Sequence, residues 1–412
     1  MFNQFAIDIY ERLLGQKWAT VLGNFSGTSE RTWRDRIKHG WEPTNDEHEA
    51  LKQRLTTMSA ERLVRLGEWT SEEAHAILAN SPSGKAGVPL PAADLIYYFS
   101  PRYGEYCQRT IAIAAHFDRN CARLANAAIR DSSHDVRAVL IDMLEWLATF
   151  CPTGEGVDDI AVLRHRMAAC SDTATLLGAA GSLHEALLFH VLSCWDLEFC
   201  SGYFGETMQA HPLFELVMPR FAPDIEIQSG TGRILRNGQQ PRRRIFETAT
   251  ARLLDFIGFL LLWRRQSRLP NFAPRVKELA AWSNTGEARL VSWRDETTRL
   301  TLAQLEEVWI AGLEPDREGF YPAAPRPMFV CTHLFSPLLG RKDGKRISSV
   351  ITCAEGYRTW WQYNRDRLIK DGLRFGEVAW PTRLIEESSA QAALSSLSSQ
   401  SSGRSSLPRD CQ

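Results

Sequence analysis

Apolar residues recur at intervals of three and four through most of residues 1 to 312. Capping residues precede them and alternating runs are few, so this part of the chain is predicted to be helical. Phe5, Ile9 and Leu13 mark a first helix, Gln16 to Gly23 a second and Ser29 to His39 a third, with short helices continuing to about Leu55. Thr70 and Glu73, spaced as a capping box, open another helix, which a Gly/Pro-rich connector at 81–91 follows. From 92 to about 221, long Ala- and Leu-rich runs such as 109–129 and 136–150 predict a helical bundle. The polar, Gly-rich stretch 226–244 reads as an exposed loop or short hairpin. The apolar run 253–263 reads as a buried helix, because Asp255 interrupts it and Phe256 to Trp263 fall well short of the about 20 residues that a bilayer core requires.

After Leu313 the pattern changes. Two β-prone runs flank Asp343-Gly344, a dipeptide suited to a tight turn, so a small β-hairpin is expected near the C-terminus beside a last helix at 357–373. From about Glu386 serine dominates, and such a segment buries too little apolar surface to order itself. The predicted fold is mainly α, a multi-helix bundle with a disordered tail. Its segments are an N-terminal unit (1–57), a helix and connector (58–91), the bundle (92–225), a basic segment leading to a second unit (226–312), a small α+β region (313–385) and the Ser-rich tail (386–412).

Within the third helix, Trp33 and Ile37 fall four apart and face inward, whereas Arg31, Arg34 and Lys38 share the outer face. Gly40 supplies a stop, and Pro43-Thr44 starts the next helix with Thr44 and Glu47 placed as a capping box. Together with Leu22, the turn residue Gly27, Ser29 and Thr32, these features resemble the helix-turn-helix family of the lambda repressor and Cro over roughly 50 residues. The resemblance implies a compact helical domain whose third helix reads bases. Glu30, Arg31 and Arg34 would then sit at base edges, with Thr28 or Ser29 and Lys38 at phosphate. Arginine bonds guanine in a bidentate fashion, and Glu30 either accepts from cytosine or orients an arginine. Arg36 departs from the pattern, standing near a place where the family has a buried aromatic. The alternative is a charged helix face that is simply solvated.

A second copy of the pattern lies at 279–309: Leu279-Ala280, a turn around Ser283-Asn284, a helix with Leu290 and Trp293 inward, and Thr301 and Gln304 as a capping box. Its outward positions are Glu287, Ala288, Val291 and Ser292, with cations only at Arg289 and Arg294. Glu287, Arg289 and Arg294 are its candidate DNA contacts; a packing or dimerisation element, and with it a homo-oligomer, is the other reading.

Charge sharpens this picture only locally. The chain carries 48 Lys+Arg against 49 Asp+Glu, and residues 1 to 56 hold eight basic and eight acidic side chains, so no global attraction for a polyanion exists. Residues 233 to 277, however, hold eleven Lys/Arg against two acids, a net +9. Within them Arg242, Arg243 and Arg244 suit an arm along phosphates or in a minor groove, or a surface for an acidic protein partner. Arg341, Lys342, Lys345 and Arg346 form a smaller cluster.

Other chemistry finds little support. The nine cysteines include no CxxC pair, which disfavours a zinc ribbon or a disulfide scaffold and fits a reducing cytosol. Asp8 and Glu11 stand where an export signal needs an uninterrupted apolar segment, so a cytoplasmic protein with no membrane partner is expected. His184 and His190 lie six apart on a helix, a rotation of about 240° that points the rings apart. Ser229 to Arg233 is glycine-rich without the ending of a phosphate-binding loop. Trp195, Asp196, Glu198 and Cys200 are the candidates to line a pocket in the bundle, but no catalytic set or cofactor fingerprint assembles. The expectation is a protein that binds double-stranded DNA, a regulator or a DNA-associated component of a mobile-element or defence system. A protein-interaction scaffold, or an enzyme or toxin in the bundle, are the alternatives.

Overall fold

In a computed structural model, residues 19–20, 29–38, 70–87, 90–129, 132–150, 157–170, 172–218, 220–221, 225–227, 234–236, 246–266, 276–312, 325–335 and 343–380 are described. Helix accounts for 81% of them, which makes the class mainly α. The helices are α1 (Glu30–Lys38), α2 (Ser71–Ala79), α3 (Pro82–Ala86), α4 (Pro91–Phe99), α5 (Gln108–Ile129), α6 (Ser133–Ala148), α7 (Val157–Ala169) and α8 (Thr173–Phe204), then α9 (Ala249–Gln266), α10 (Val276–Trp282), α11 (Glu287–Arg294), α12 (Leu302–Gly312), α13 (Pro325–Phe335) and α14 (Asp343–Lys370). Between α8 and α9 two short antiparallel pairings occur: β1 (Arg220–Phe221) with β4 (Phe246–Glu247), and β2 (Ile225–Ile227) with β3 (Ile234–Arg236). The second is a short hairpin within the polar stretch.

The chain forms two compact units, Met1–Tyr203 with Trp360–Leu373, and Phe204–Thr359 with Arg374–Gln412. In the first, α5 packs on α4 and α6, and α6 on α7. Its core joins Phe117 of α5, Val139, Leu140, Met143 and Leu144 of α6, Met167 of α7 and Leu183 and Leu187 of α8. Along α6 these positions recur at three and four, which gives that helix one apolar stripe. Residues 187 to 200 of α8 are buried without interruption. A helix enclosed on all sides cannot be amphipathic.

Two helix starts in the first unit are set by local caps. Thr70 and Glu73 form the expected reciprocal box, with Thr70 N donating to Glu73 Oε2 at 2.7 Å and Glu73 N to Thr70 Oγ1 at 3.2 Å. The connector at 81–91 contains the short helix α3, which Ser81 caps by accepting from Gly84 N at 3.1 Å and which ends at Gly87 with φ 65°.

In the second unit α9 is the buried helix expected at 253–263, with every residue from Phe256 to Leu262 buried. No helix among the described residues is long and apolar enough to cross a membrane. The 3-10 helix Leu213–Val217 and helices α11, α12 and α13 pack against α9, and α10 packs on α11 and α12.

The hairpin expected around Asp343-Gly344 is absent: these residues begin α14. Buried Ala354, Tyr357, Trp361, Asn364 and Leu368, spaced by three and four, form the stripe of the last helix expected at 357–373, and that helix continues back through the β-branched Ile351, Val350 and Ile347 to Asp343. Asp343 at a helix start is also favourable, its charge complementing the N-terminal dipole. Met328 to Thr332 are all buried, and a short run buried on every side carries no period by which helix and strand differ. The tail 386–412 lies outside the described residues.

Candidate nucleic-acid interface

Helix α1 is capped by Ser29, whose hydroxyl accepts from Thr32 N at 3.2 Å and lies 2.9 Å from Thr32 Oγ1, while its carbonyl accepts from Trp33 N at 3.2 Å. Trp33 is buried, only 4% exposed. Arg31, Thr32, Arg34 and Asp35 are exposed, so the helix is one-sided with its cations outward. Glu30 pairs with Arg34 one turn on, both side chains substantially exposed. Such a pair contributes roughly 0.3–0.5 kcal/mol and is screened by salt, so it orients Arg34 without immobilising it. Of the two roles open to Glu30, this geometry supplies the orienting one. Thr28, the side chains of Arg36, Ile37 and Lys38, the preceding turn at Gly27 and the following start at Pro43-Thr44 lie outside the described residues.

The second candidate unit has the expected local elements. Helices α10 and α11 are joined by a four-residue turn in which Asn284 takes φ 49°, a left-handed conformation that asparagine tolerates. Leu290 and Trp293 of α11 are buried, and Thr301 and Gln304 cap each other's backbone amides at 3.0 and 3.3 Å at the start of α12. Outward from α11 stand Glu287, Ala288, Arg289 and Val291. The Arg289 guanidinium lies 4.9 Å over the Trp293 ring and remains exposed.

Arg294 is placed otherwise. Its guanidinium forks onto both oxygens of Asp255 in α9, and Thr248 Oγ1 donates to its carbonyl at 2.6 Å, so it fastens α11 to α9. Burial by itself would lower the Arg294 pKa, but the bonds to Asp255 hold it above the usual arginine value. Two cations of the 233–277 segment are engaged as well. Arg252 donates to Leu216 O at 2.6 Å, and Arg265 donates to Gly312 O at 2.8 Å while lying 5.0 Å over the Trp282 ring. Lys277 is exposed. Arg242, Arg243 and Arg244 lie outside the described residues. Arg252 and Arg265 of that stretch, and Arg294 beyond it, thus serve as internal fasteners whose guanidiniums are committed within the fold.

The pocket candidates of the bundle resolve into fasteners too. Trp195 Nε1 donates to Ser100 Oγ at 2.7 Å. Glu198 accepts from Thr110 N at 3.0 Å and Thr110 Oγ1 at 2.7 Å, which caps the start of α5; burial raises its pKa above the usual carboxylate value. Asp196 and Cys200 are buried.

One polar centre of the first unit was not legible beforehand. Asn364 Nδ2 donates to Ser193 Oγ at 2.7 Å and faces His190 Nδ1 at 3.1 Å, and Ser193 Oγ donates to the His190 carbonyl at 3.0 Å. Arg367 reaches Cys194 Sγ at 3.6 Å and lies 4.8 Å over the Phe150 ring. A cysteine and a histidine are therefore neighbours, with Cys194 Sγ 4.0 Å from His190 Nδ1. Burial pushes the thiol up to about 12 and the imidazole down to about 3. An enclosed, protonated thiol is no nucleophile. The signal in the sequence was a single polar residue, Asn364, on the apolar stripe of α14. Among the described residues no group of three or more His, Cys, Asp or Glu is placed to hold a metal ion.

Neither a protein-family model, a curated protein nor a solved structure matches the chain.

Proposed function

We propose that the protein binds double-stranded DNA through the outward face of α1. The observation that carries this reading is the one-sidedness of that helix: Trp33 is buried while Arg31 and Arg34 stand exposed on a helix capped by Ser29. A short helix held by an apolar anchor presents side chains of fixed direction, which base reading in the major groove requires, and its start favours a phosphate. Arg31 and Arg34 supply bidentate donors for guanine, and Glu30 sets the direction of Arg34. Helix α11, with Glu287 and Arg289 outward and Arg294 internally engaged, contributes at most a weak second contact. The biological setting that fits is regulation of a gene or attachment to DNA within a mobile-element or defence system.

Fluorescence anisotropy with pooled random duplexes over a salt series tests this. The wild-type chain is expected to bind with affinity that falls steeply as salt rises, and Arg31→Ala/Arg34→Ala to bind more weakly with a log–log salt slope shallower by about 2, roughly one per cation removed. Absence of binding at low salt, or equal binding by the variant, would move the weight to a scaffold that holds protein partners.

A further inference from the structure

Helix α14 ends abruptly at Lys370. Leu373 N donates to Leu368 O at 2.8 Å and Gly372 N to Ile369 O at 3.0 Å, while Gly372 takes φ 95°. Those bonds, with a glycine in the left-handed region, form a helix stop that turns the chain away from the helix axis. Residues 374–380 then run on without helix and belong to the second unit. Along this strap Arg374, Glu377, Val378 and Ala379 are exposed, Phe375 and Gly376 are half-buried, and Trp380 alone is buried, at 2%. Val378, although apolar, is left 45% exposed. Burial of the strap is thus concentrated in one indole.

That indole enters an aromatic nest of the second unit. Phe204 meets it edge-on at 4.9 Å between ring centroids, His211 lies at 6.0 Å and Phe259 of α9 at 6.1 Å, and Trp263 of α9 stacks on Phe204 at 5.9 Å. The indole Nε1 donates to Gln209 O at 3.1 Å, the kind of acceptor that a buried Trp N–H needs. Beside it Met208 and Val378 form a parallel β-bridge, where Gly376 N donates to Met208 O at 2.8 Å and Gln209 N donates to Val378 O at 3.0 Å. An extended segment held by backbone bonds along an edge and by one side chain in a pocket is the arrangement in which proteins bind separate peptides. Here the peptide is the chain's own.

We propose that residues 374–380 are a detachable strap, an internal ligand that undocks as one piece about Gly372 and uncovers the Met208–Gln209 edge and the aromatic nest while the helices of the second unit stay packed. Two features set its opening apart from global unfolding. The strap commits one indole and a short stretch of backbone bonds, whereas α9 buries every residue from Phe256 to Leu262. The packing of α9 against the 3-10 helix Leu213–Val217 and against α11, α12 and α13 uses no residue of the strap. Segments with little buried apolar surface and exposed backbone open at lower free energy than the core they rest on. When docked, the strap covers an edge whose backbone groups would otherwise accept another extended segment.

Hydrogen exchange on the full-length chain over a urea series below its unfolding transition, corrected for intrinsic rates, tests the strap. In the wild type the Gln209 and Gly376 amides, which bond across the bridge, are expected to exchange at least about a hundredfold faster than Leu260 in α9, and at a rate nearly independent of urea, because undocking exposes little surface. In Trp380→Ala both amides should lose their remaining protection, while Leu260 stays protected by at least about a hundredfold. Wild-type exchange of Gln209 and Gly376 with the rate and urea dependence of Leu260 would mean that the strap opens only with the whole unit, and this overturns the proposal without recourse to a variant. Retained protection of the two amides in Trp380→Ala, or loss of the Leu260 protection along with theirs, would overturn it as well, the first by removing the anchor and the second by making Trp380 part of the core.

Discussion

At the scale of single residues, the same side-chain type does opposite work according to what lies opposite it. Arg31 faces outward with no acidic partner among the described residues, Arg34 is steered by an exposed Glu30, and Arg294 is consumed by Asp255 in a half-buried fork. Only the first two remain available to exchange water for phosphate or guanine, because Arg294 is held by both Asp255 oxygens within the fold. His190 illustrates the related rule for a neutral group. Burial and the nearby Arg367 charge lower its pKa to about 3, while an unfolded histidine titrates near 6.5. The unfolded chain thus binds the proton that the folded one refuses, so this residue's contribution is complete above about pH 6.5 and is lost as pH falls towards 3. Chemical denaturation between pH 7 and pH 4.5 should show a marked loss of stability in the wild type and a smaller one in His190→Gln, which retains an amide to meet Asn364. An unchanged slope in the variant would mean that other groups dominate acid unfolding.

At the scale of elements, legibility followed the type of signal. Capping boxes at Thr70–Glu73 and Thr301–Gln304 were readable because they depend on two side chains at fixed spacing and on nothing distant. The long bundle helices and the buried α9 were readable because their apolar stripes or runs exceed strand length. The start of α14 was misread as a hairpin, since Ile and Val suit a strand and Asp-Gly suits a turn, and only packing of Ala354, Tyr357 and Trp361 makes the helical choice win. The engagement of Arg252, Arg265 and Arg294 was not readable at all, because their partners lie 36 to 47 positions away along the chain. The turn between α10 and α11 gives a prediction at this scale. Asn284 with φ 49° tolerates glycine, so Asn284→Gly should leave stability unchanged or slightly raised. Asn284→Val should lower it by roughly 1–2 kcal/mol, the cost of a branched side chain in a left-handed conformation. Denaturant midpoints of the two variants check this, and equal midpoints would show that the turn relaxes.

For the molecule as a whole, the division into two units joins residues far apart in sequence: the segment Trp360–Leu373 belongs with Met1–Tyr203. Sequence patterning does not reveal such returns, which are decided by a stripe on one helix finding its complement on another. The overall class was nonetheless readable, since helical periods dominate the chain. The one-sided helix α1 was legible, since sequence neighbours make its geometry, and the basic stretch only partly so, since tertiary partners decide which of its cations are engaged. Whole-chain charge is formally -1, so any hold on DNA must come from a local array and must weaken with salt. The most direct measurement is hydrogen exchange of the full-length chain with and without a saturating duplex at low salt. The account expects slowed exchange across residues 29–38, with smaller changes elsewhere. Protection confined to other segments, with 29–38 unaltered while the duplex is bound, would contradict it.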